Sequence, residues 1–259
     1  MVLDYKIYVG AWWSFDSLLT QFKESARAFP DSRTGKNTQF TMEDVALGAF
    51  SVFFTQCPSF LSHQQYLQET QGKNNAKTLF GVEKIPTANH IRDLLDKVEP
   101  EHLRGCYTKS LEILIKQGSE IFSGFQQKSM RNSVLVALDG TGYFESKTIR
   151  CSRCQIKHST KTGTIFQHSC LIPAIVSPGK SVVLPLFPEF ITPQDGDQKQ
   201  DCEFKAARRW LTRGHEELEA QAITLLGDDL YARQGICEDV LARGWDFIFT
   251  CSNRQFSPS

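Results

Sequence analysis

The sequence predicts an α/β protein in which a helical N-terminal region precedes a mixed sheet with crossover helices. Before residue 130, apolar residues recur at helical spacing, as they do in segment 91–98. After residue 130, short apolar runs typical of buried strands appear, and the first of them is 134–138. We therefore divide the chain into a helical region, 1–130, and a sheet domain, 131–259.

Composition gives no sign of a membrane protein and no overall sign of a nucleic-acid partner. Lys plus Arg and Asp plus Glu are both 29, so any DNA-binding surface must be local. No apolar segment approaches the roughly 18 residues of a membrane span, and the N terminus lacks the apolar core of a secretion signal. Most of the eight cysteines are far apart in sequence, which favours reduced thiols. We expect a soluble, cytoplasmic protein.

The helical region is predicted to contain several helices separated by loops and prolines. The predicted helices are 12–22, one from the N-cap Thr41 to Pro58, one from Thr87 to Pro100, and 101–122. On the third of these, Asn89, His90 and Arg92 point outward. They form either a DNA-reading surface or an ordinary solvated helix face.

The sheet domain has a recognisable order of elements. Gly140 and Gly142 predict a sharp turn after the first strand. The predicted elements are strands 133–139, 143–150, 171–178 and 181–187, helix 201–220, strand 222–229, helix 231–243 and strand 245–251. An antiparallel meander that continues through crossover helices into parallel strands is the order of the ribonuclease H-like fold.

Two aspartates end strands that this order places side by side. Asp139 ends the first strand, and Asp228 ends strand 222–229. Converging carboxylates are suited to a pair of Mg²⁺ ions, which can clamp the attacking and leaving oxygens of a phosphoryl transfer. The alternative is that both are turn residues. Asp229 is a competitor for Asp228, since neighbouring strand residues point to opposite faces.

A cysteine–histidine cluster lies between the second and third predicted strands. Cys151, Cys154, His158 and His168 supply four ligands of the kind that tetrahedral zinc prefers. Cys170 competes with His168 for the fourth position. Zinc here would be structural and would hold the tip of a hairpin. The alternative is two loop thiols and two surface imidazoles.

The same hairpin is basic. No Asp or Glu occurs between Lys147 and Cys170. Cations beside a candidate metal site favour contact with a phosphate backbone, although a solvated loop has the same pattern. The cations are Lys147, Arg150, Arg153, Lys157 and Lys161, and Lys205, Arg208 and Arg209 could extend the surface.

Several blocks of the sequence resemble bacterial insertion-sequence transposases of the DDE type. In the sheet domain these blocks are LVALDGTGYFES, LPLFPEFITPQDGDQKQDCEFKAARRWL and ITLLGDDLYARQGIC, together with the cysteine–histidine hairpin. In the helical region they are TMEDVALGAFSVFFTQCPSFL and FGVEKIPTANHIRDLLDKVEPEHLR. The resemblance covers most of the chain from about residue 40 onward.

This resemblance implies a ribonuclease H-like core that binds double-stranded DNA at transposon ends, hydrolyses it and joins the 3′-hydroxyl to target DNA. Asp139 matches the first catalytic acid of the family and Asp228 the second. The third acid, a Glu on a helix after the last strand, has no counterpart, because Glu145, Glu203 and Glu238 lie on other elements. We expect a C-terminally truncated transposase, with one Mg²⁺ ligand missing and impaired cleavage, that can oligomerise on DNA.

Two other functions fit the same residues. One is a catalytically dead protein that occupies transposon ends and represses the full-length enzyme, with the acids as relics. The other is a nuclease directed at RNA or a hybrid duplex, because the fold alone does not determine the substrate.

Overall fold

The computed structural model describes residues 14–35, 38–69, 79–82, 85–117, 119–159, 163–193 and 202–251. The chain forms two compact units, 1–118 and 119–259. The first unit is helical and the second carries the sheet. The boundary between them precedes the predicted one at residue 130.

The helices of the first unit begin at capping residues. Ser14 and Thr41 each form a capping box, in which the side chain accepts the backbone N–H three residues later and that residue reciprocates. Thr87 accepts the N–H of His90. The predicted starts at Thr41 and Thr87 are confirmed. The described helices are α1 (Phe15–Arg27), α2 (Met42–Phe54), α3 (Phe60–Glu69), α4 (Ala88–Leu95) and α5 (Arg104–Gln117), with a 3₁₀ turn at Pro100–Leu103.

Apolar side chains of these helices form two buried clusters. One cluster joins α1, α2 and α4 and includes Ala26, Val45 and Ile91. The other includes Leu47 and Phe80. Burial of such side chains is the main term that holds short helices together, since helices of this length are marginal alone.

The first unit departs from the predicted helices at two places. Helix α3 occupies residues 60–69, between the predicted helix that ends at Pro58 and the one that begins at Thr87, where no helix was predicted. The predicted helix 101–122 is instead a 3₁₀ turn, α5 and a separate short helix, α6 (Ser119–Ser123), which belongs to the second unit. Residues 12 and 13 of the predicted first helix lie outside the described residues.

The second unit carries a mixed sheet. Its strands are β1 (Gln126–Gln127), β2 (Ser133–Ser146), β3 (Gln155–Ser159), β4 (Gly163–Val176), β5 (Leu184–Pro185), β6 (Glu189–Ile191), β7 (Ile223–Gly227) and β8 (Asp246–Phe249). The central order of strands is β3-β4-β2-β7-β8. β2 runs antiparallel to β4 and parallel to β7, and β7 runs parallel to β8. The predicted α/β class, with antiparallel strands continuing into parallel ones, is confirmed.

The predicted turn at Gly140–Gly142 is wrong, because β2 continues through it as one strand of 14 residues. Gly140 pairs with Leu171 and Gly142 with Ser169 of β4, and the register shifts between Gly142 and Phe144. Gly142 therefore marks a β-bulge and not a hairpin, which is a common use of glycine inside a strand. Strands predicted at 133–139 and 143–150 are thus a single element.

Two crossover helices connect the later strands, as predicted, but they are shorter than expected. Helix α7 (Glu203–Thr212) precedes β7, and α8 (Gln234–Ala242) precedes β8. After α7 the backbone becomes extended at Arg213, and residues 216–220 form turns where helix was predicted. Leu218 is nevertheless fully buried, so the apolar periodicity reported burial correctly and the end of the helix incorrectly.

The strand predicted at 181–187 is reduced to the two residues of β5. Pro185 has no N–H to give to a ladder, which limits the pairing. The strand predicted at 171–178 corresponds to the second half of β4. The first half of β4 pairs with β3 as an antiparallel hairpin. No helix in the described part of the chain is long and apolar enough to cross a membrane.

Candidate functional site

The register between β2 and β7 places Asp139 and Asp228 at the same level of the sheet. Residues 134–137 pair in parallel with residues 223–226, so each partner lies 89 positions further along the chain (226 − 137). Asp139 and Asp228 are separated by the same 89 positions (228 − 139). In the pairing of β2 with β7, each acid therefore follows the last paired residue of its strand by two positions.

Both acids belong to one face of the sheet. At the start of that face, Ser133 Oγ lies 2.7 Å from Thr224 Oγ1. Alternation along the two strands assigns Asp139 and Asp228 to the same side as this pair. Both are exposed, and Asp228 Oδ1 accepts the N–H of Leu230 at 2.9 Å, which fixes the carboxylate in a turn.

A third carboxylate, Glu203, reaches this end of the sheet from the first turn of α7. A Cβ atom on Gly140 would collide with the Glu203 carboxylate, so the glycine beside Asp139 leaves room for it. Tyr231 donates a hydrogen bond from its hydroxyl to Glu203 Oε1. Burial raises the pKa of Tyr231 above its usual range, and the charges of Glu203, Asp228 and Asp139 raise it further.

Sequence reasoning set Glu203 aside, because Glu203 does not lie on a helix after the last strand, where the family carries its third acid. The signal that could have found it is the glycine that directly follows Asp139, because a missing Cβ permits close approach by another element. The three carboxylates are not drawn into one tight group. Within the described residues, Cys151, Cys154 and His168 are the one set of three or more potential ligands whose donor atoms all lie within 4.8 Å of one another.

This cysteine–histidine group is built from a turn and a neighbouring strand. Cys151 Sγ and Cys154 Sγ are 3.8 Å apart, and His168 Nε2 lies 3.4 Å from the first and 3.3 Å from the second. His168 is half-buried on β4, where its ring stacks on Tyr143 with the centroids 5.7 Å apart. Burial lowers the pKa of His168, which favours the neutral imidazole, and burial raises the pKa of Cys154.

The remaining predicted ligand, His158, and the alternative ligand Cys170 lie elsewhere. His158 is exposed on β3, pairs with Thr164 and has its Nδ1 3.2 Å from the Thr164 hydroxyl. Thr164 and His168 are four positions apart on β4, which corresponds to about 13 Å along a strand. Cys170 is buried two positions beyond His168 and is not a member of the close group.

The predicted cations are exposed around the cysteine–histidine group, except Lys161, which lies outside the described residues. Arg150 lies over the Phe166 ring, 5.6 Å from its centroid. The cations proposed to extend the surface are engaged differently, since Arg208 pairs with Asp239 and Arg209 with the buried Glu189. The exposed members are Lys147, Arg150, Arg153 and Lys157.

No protein-family model and no curated protein matches this chain. Among solved structures it is similar to the Drosophila P element transposase in a strand transfer complex, with 9% identity over 86% of this chain and 44% of that chain and a TM-score of 0.35. It is also similar to the piggyBac transposase in a synaptic complex with hairpin DNA, with 10% identity over 94% of this chain and 50% of that chain and a TM-score of 0.34. The chain thus spans half or less of the length of either protein. Likenesses at this level carry no argument about function, which has to be argued from the site.

Proposed function

We propose that the second unit is the catalytic domain of a transposase of the insertion-sequence DDE type, acting on DNA phosphodiester bonds with metal ions held by Asp139 and Asp228. The observation that carries the proposal is the shared separation of 89 positions, which puts both acids at one level and on one face of adjacent parallel strands. Turn residues alone would not need this match of register.

The donor chemistry of the two acids fits a divalent metal. Both side chains are exposed carboxylates, and oxygen ligands of this kind are those that Mg²⁺ prefers. Bound Mg²⁺ would supply Lewis-acid stabilisation and an activated oxygen nucleophile. The N–H of Leu230 orients Asp228, so one of the two carboxylates is held before any ion arrives.

Glu203 supplies the third carboxylate in this proposal. Its carboxylate lies against Gly140, which strand alternation assigns to the face opposite to Asp139, and its charge acts on the same Tyr231 hydroxyl as the charges of Asp139 and Asp228. Its hydrogen bond from Tyr231 holds it at this end of the sheet. The three carboxylates do not lie within 4.8 Å of one another, so a metal ion shared by all three would require their side chains to move.

The partner in this proposal is double-stranded DNA at transposon ends and at the target. Lys147, Arg150, Arg153 and Lys157 are exposed on one hairpin of the sheet unit. Cations arranged in this way bind phosphates without reading sequence, and the resulting affinity falls steeply with salt. Lys161 belongs to the same basic run in the sequence.

Nicking of supercoiled plasmid by the full chain, with and without Mg²⁺, tests the proposal. We expect Mg²⁺-dependent nicking that falls at least about 100-fold in Asp139→Asn and in Asp228→Asn, because removing a metal ligand removes transition-state stabilisation of this order. Glu145→Gln is the matched control, since Glu145 is an exposed acid on the same strand and should keep full activity.

The result that contradicts the proposal is nicking that survives Asp139→Asn. DNA binding that is independent of both Mg²⁺ and Asp139, with no nicking by the wild-type chain, would instead identify the catalytically dead binding protein.

A further inference from the structure

The donor atoms of Cys151, Cys154 and His168 have the spacing of a tetrahedral metal site. Zinc bonds of about 2.3 Å to sulfur and about 2.0–2.1 Å to nitrogen give tetrahedral edges of about 3.8 Å between two sulfurs and about 3.6 Å between sulfur and nitrogen. The distances observed are 3.8 Å between the sulfurs and 3.4 and 3.3 Å from Nε2 to each of them.

Backbone N–H groups of the turn are directed at both sulfurs. The N–H of Arg153 points to Cys151 Sγ at 3.4 Å, and the N–H of Cys151 points to Cys154 Sγ at 3.2 Å. The turn itself is closed by a hydrogen bond from the N–H of Cys154 to the carbonyl of Cys151 at 3.2 Å. These three hydrogen bonds fix the positions of both sulfurs within the turn.

The histidine is fixed on the facing strand by two aromatic rings. Tyr143 stacks on His168 with an angle of 28° between the planes, and the Phe144 ring centroid lies 5.5 Å from that of His168. Both aromatic residues belong to β2, so the His168 ring is held between β2 and the turn that carries the two cysteines. A ligand that is oriented before binding loses less entropy when the metal arrives.

We propose that Cys151, Cys154 and His168 bind one Zn²⁺ ion, with water in the fourth position. Two thiolates and an imidazole in tetrahedral arrangement are typical of zinc. All eight cysteines and all six histidines of the sequence lie in the described part of the chain, and none of the others has a donor atom within 4.8 Å of all three ligands. Cys151 is exposed, so the fourth position opens to solvent.

The zinc ties the turn at residues 151–154 to the first half of β4. Without it, this turn has no core of its own, since Ile149 and Ile156 on either side are exposed. Arg150 and Arg153 are adjacent to the ligands in sequence, so the ion also fixes the position of these two cations. The inference does not depend on the proposed catalytic function, because none of the three ligands belongs to the carboxylate site.

The first test is the metal content of the full chain, purified under reducing conditions, loaded with Zn²⁺ and dialysed. We expect one zinc per chain by elemental analysis. With Co²⁺ in place of Zn²⁺, we expect a sulfur-to-metal charge-transfer band together with the visible bands of tetrahedral cobalt. A wild-type chain that retains no zinc, or a cobalt spectrum without the charge-transfer band, overturns the proposal, and this readout requires no variant to fold.

Matched variants test the choice of three ligands. We expect Cys151→Ser and Cys154→Ser to lose zinc affinity by at least about 100-fold, since each removes a metal–thiolate bond. His158→Ala and Cys170→Ser should retain one zinc per chain. Loss of zinc in either of the last two, in protein with an unchanged circular dichroism spectrum, would contradict the three-ligand set, as would full retention in Cys151→Ser, whose side chain is exposed.

Discussion

The two halves of β2 build their sites in different ways. The inner half, 133–139, lies between β4 and β7, and residues 134–136 are buried. The outer half, 140–146, pairs with β4 alone among the described strands, and Tyr143 is 56% exposed. The inner half brings together acids that are far apart in sequence, whereas the outer half carries aromatic rings toward ligands that are close together in sequence.

The two sites therefore depend on different features of the fold. The carboxylate site depends on long-range register, which burial enforces because a slip of one residue would turn the apolar side chains to the wrong face. The cysteine–histidine site depends on a short turn and one neighbouring strand, with little apolar burial around it. We therefore expect core substitutions to damage the first site and metal removal to damage the second.

The largest expected effect comes from Leu225→Ala in β7. Leu225 is fully buried and pairs with Val136 in the register that aligns the two acids. Truncation of a buried leucine costs about 2–5 kcal/mol through lost burial and the cavity left behind. Urea denaturation of the full chain should show this loss of stability, while the zinc content of the folded variant should stay at one per chain.

The matched control for this substitution is Ile156→Ala on β3. Ile156 is 40% exposed on the outermost strand of the central order, so its loss should change the free energy of unfolding by about 0.5 kcal/mol or less. Equal losses in the two variants would contradict the division into a buried inner half and an exposed outer half.

Zinc removal should have the next largest effect, and it should be local. If the ion holds the outer half, a chelator should speed hydrogen exchange of the amides in 151–159 and 163–168 by roughly 100-fold, which corresponds to about 2.7 kcal/mol of lost local stability. Amides of residues 134–138 should keep their protection. Peptide-level hydrogen-exchange mass spectrometry distinguishes the two segments. A uniform loss of protection across β2 would contradict the proposed difference between its inner and outer halves.

The sequence predicted the parts of the sheet that depend on apolar runs. Residues 134, 135, 136 and 138 of the predicted run are buried, and the separation of the two acids matches the observed register. The order of strands and crossover helices was also predictable, because parallel neighbours require crossover connections. Helix ends were less predictable, as α7 shows, since burial continues to Leu218 after the helix has ended.

Sequence reasoning failed where one pattern has two structural meanings. Two glycines separated by one residue fit a tight turn and a bulge equally well, and only the pairing of β4 with both sides of Gly142 selects the bulge. The same limit applies to His158, whose spacing from Cys154 suits a zinc ligand although its strand carries it away. The approach of Glu203 to Gly140 is a tertiary contact between α7 and β2, which the local sequence does not predict.

Gly140→Ala, which should have a smaller effect than zinc removal, tests the junction between the two halves. The added Cβ would meet the Glu203 carboxylate, which is the end of a flexible side chain but is held by Tyr231. Moving it should cost about 1 kcal/mol or less, the low end for an overpacked site. In the Glu203→Ala background the same change should cost nothing, because the group that it displaces has gone. A double-mutant cycle by urea denaturation measures this coupling. Equal costs of Gly140→Ala in the two backgrounds would show that Gly140 serves the backbone of β2 and not the approach of Glu203.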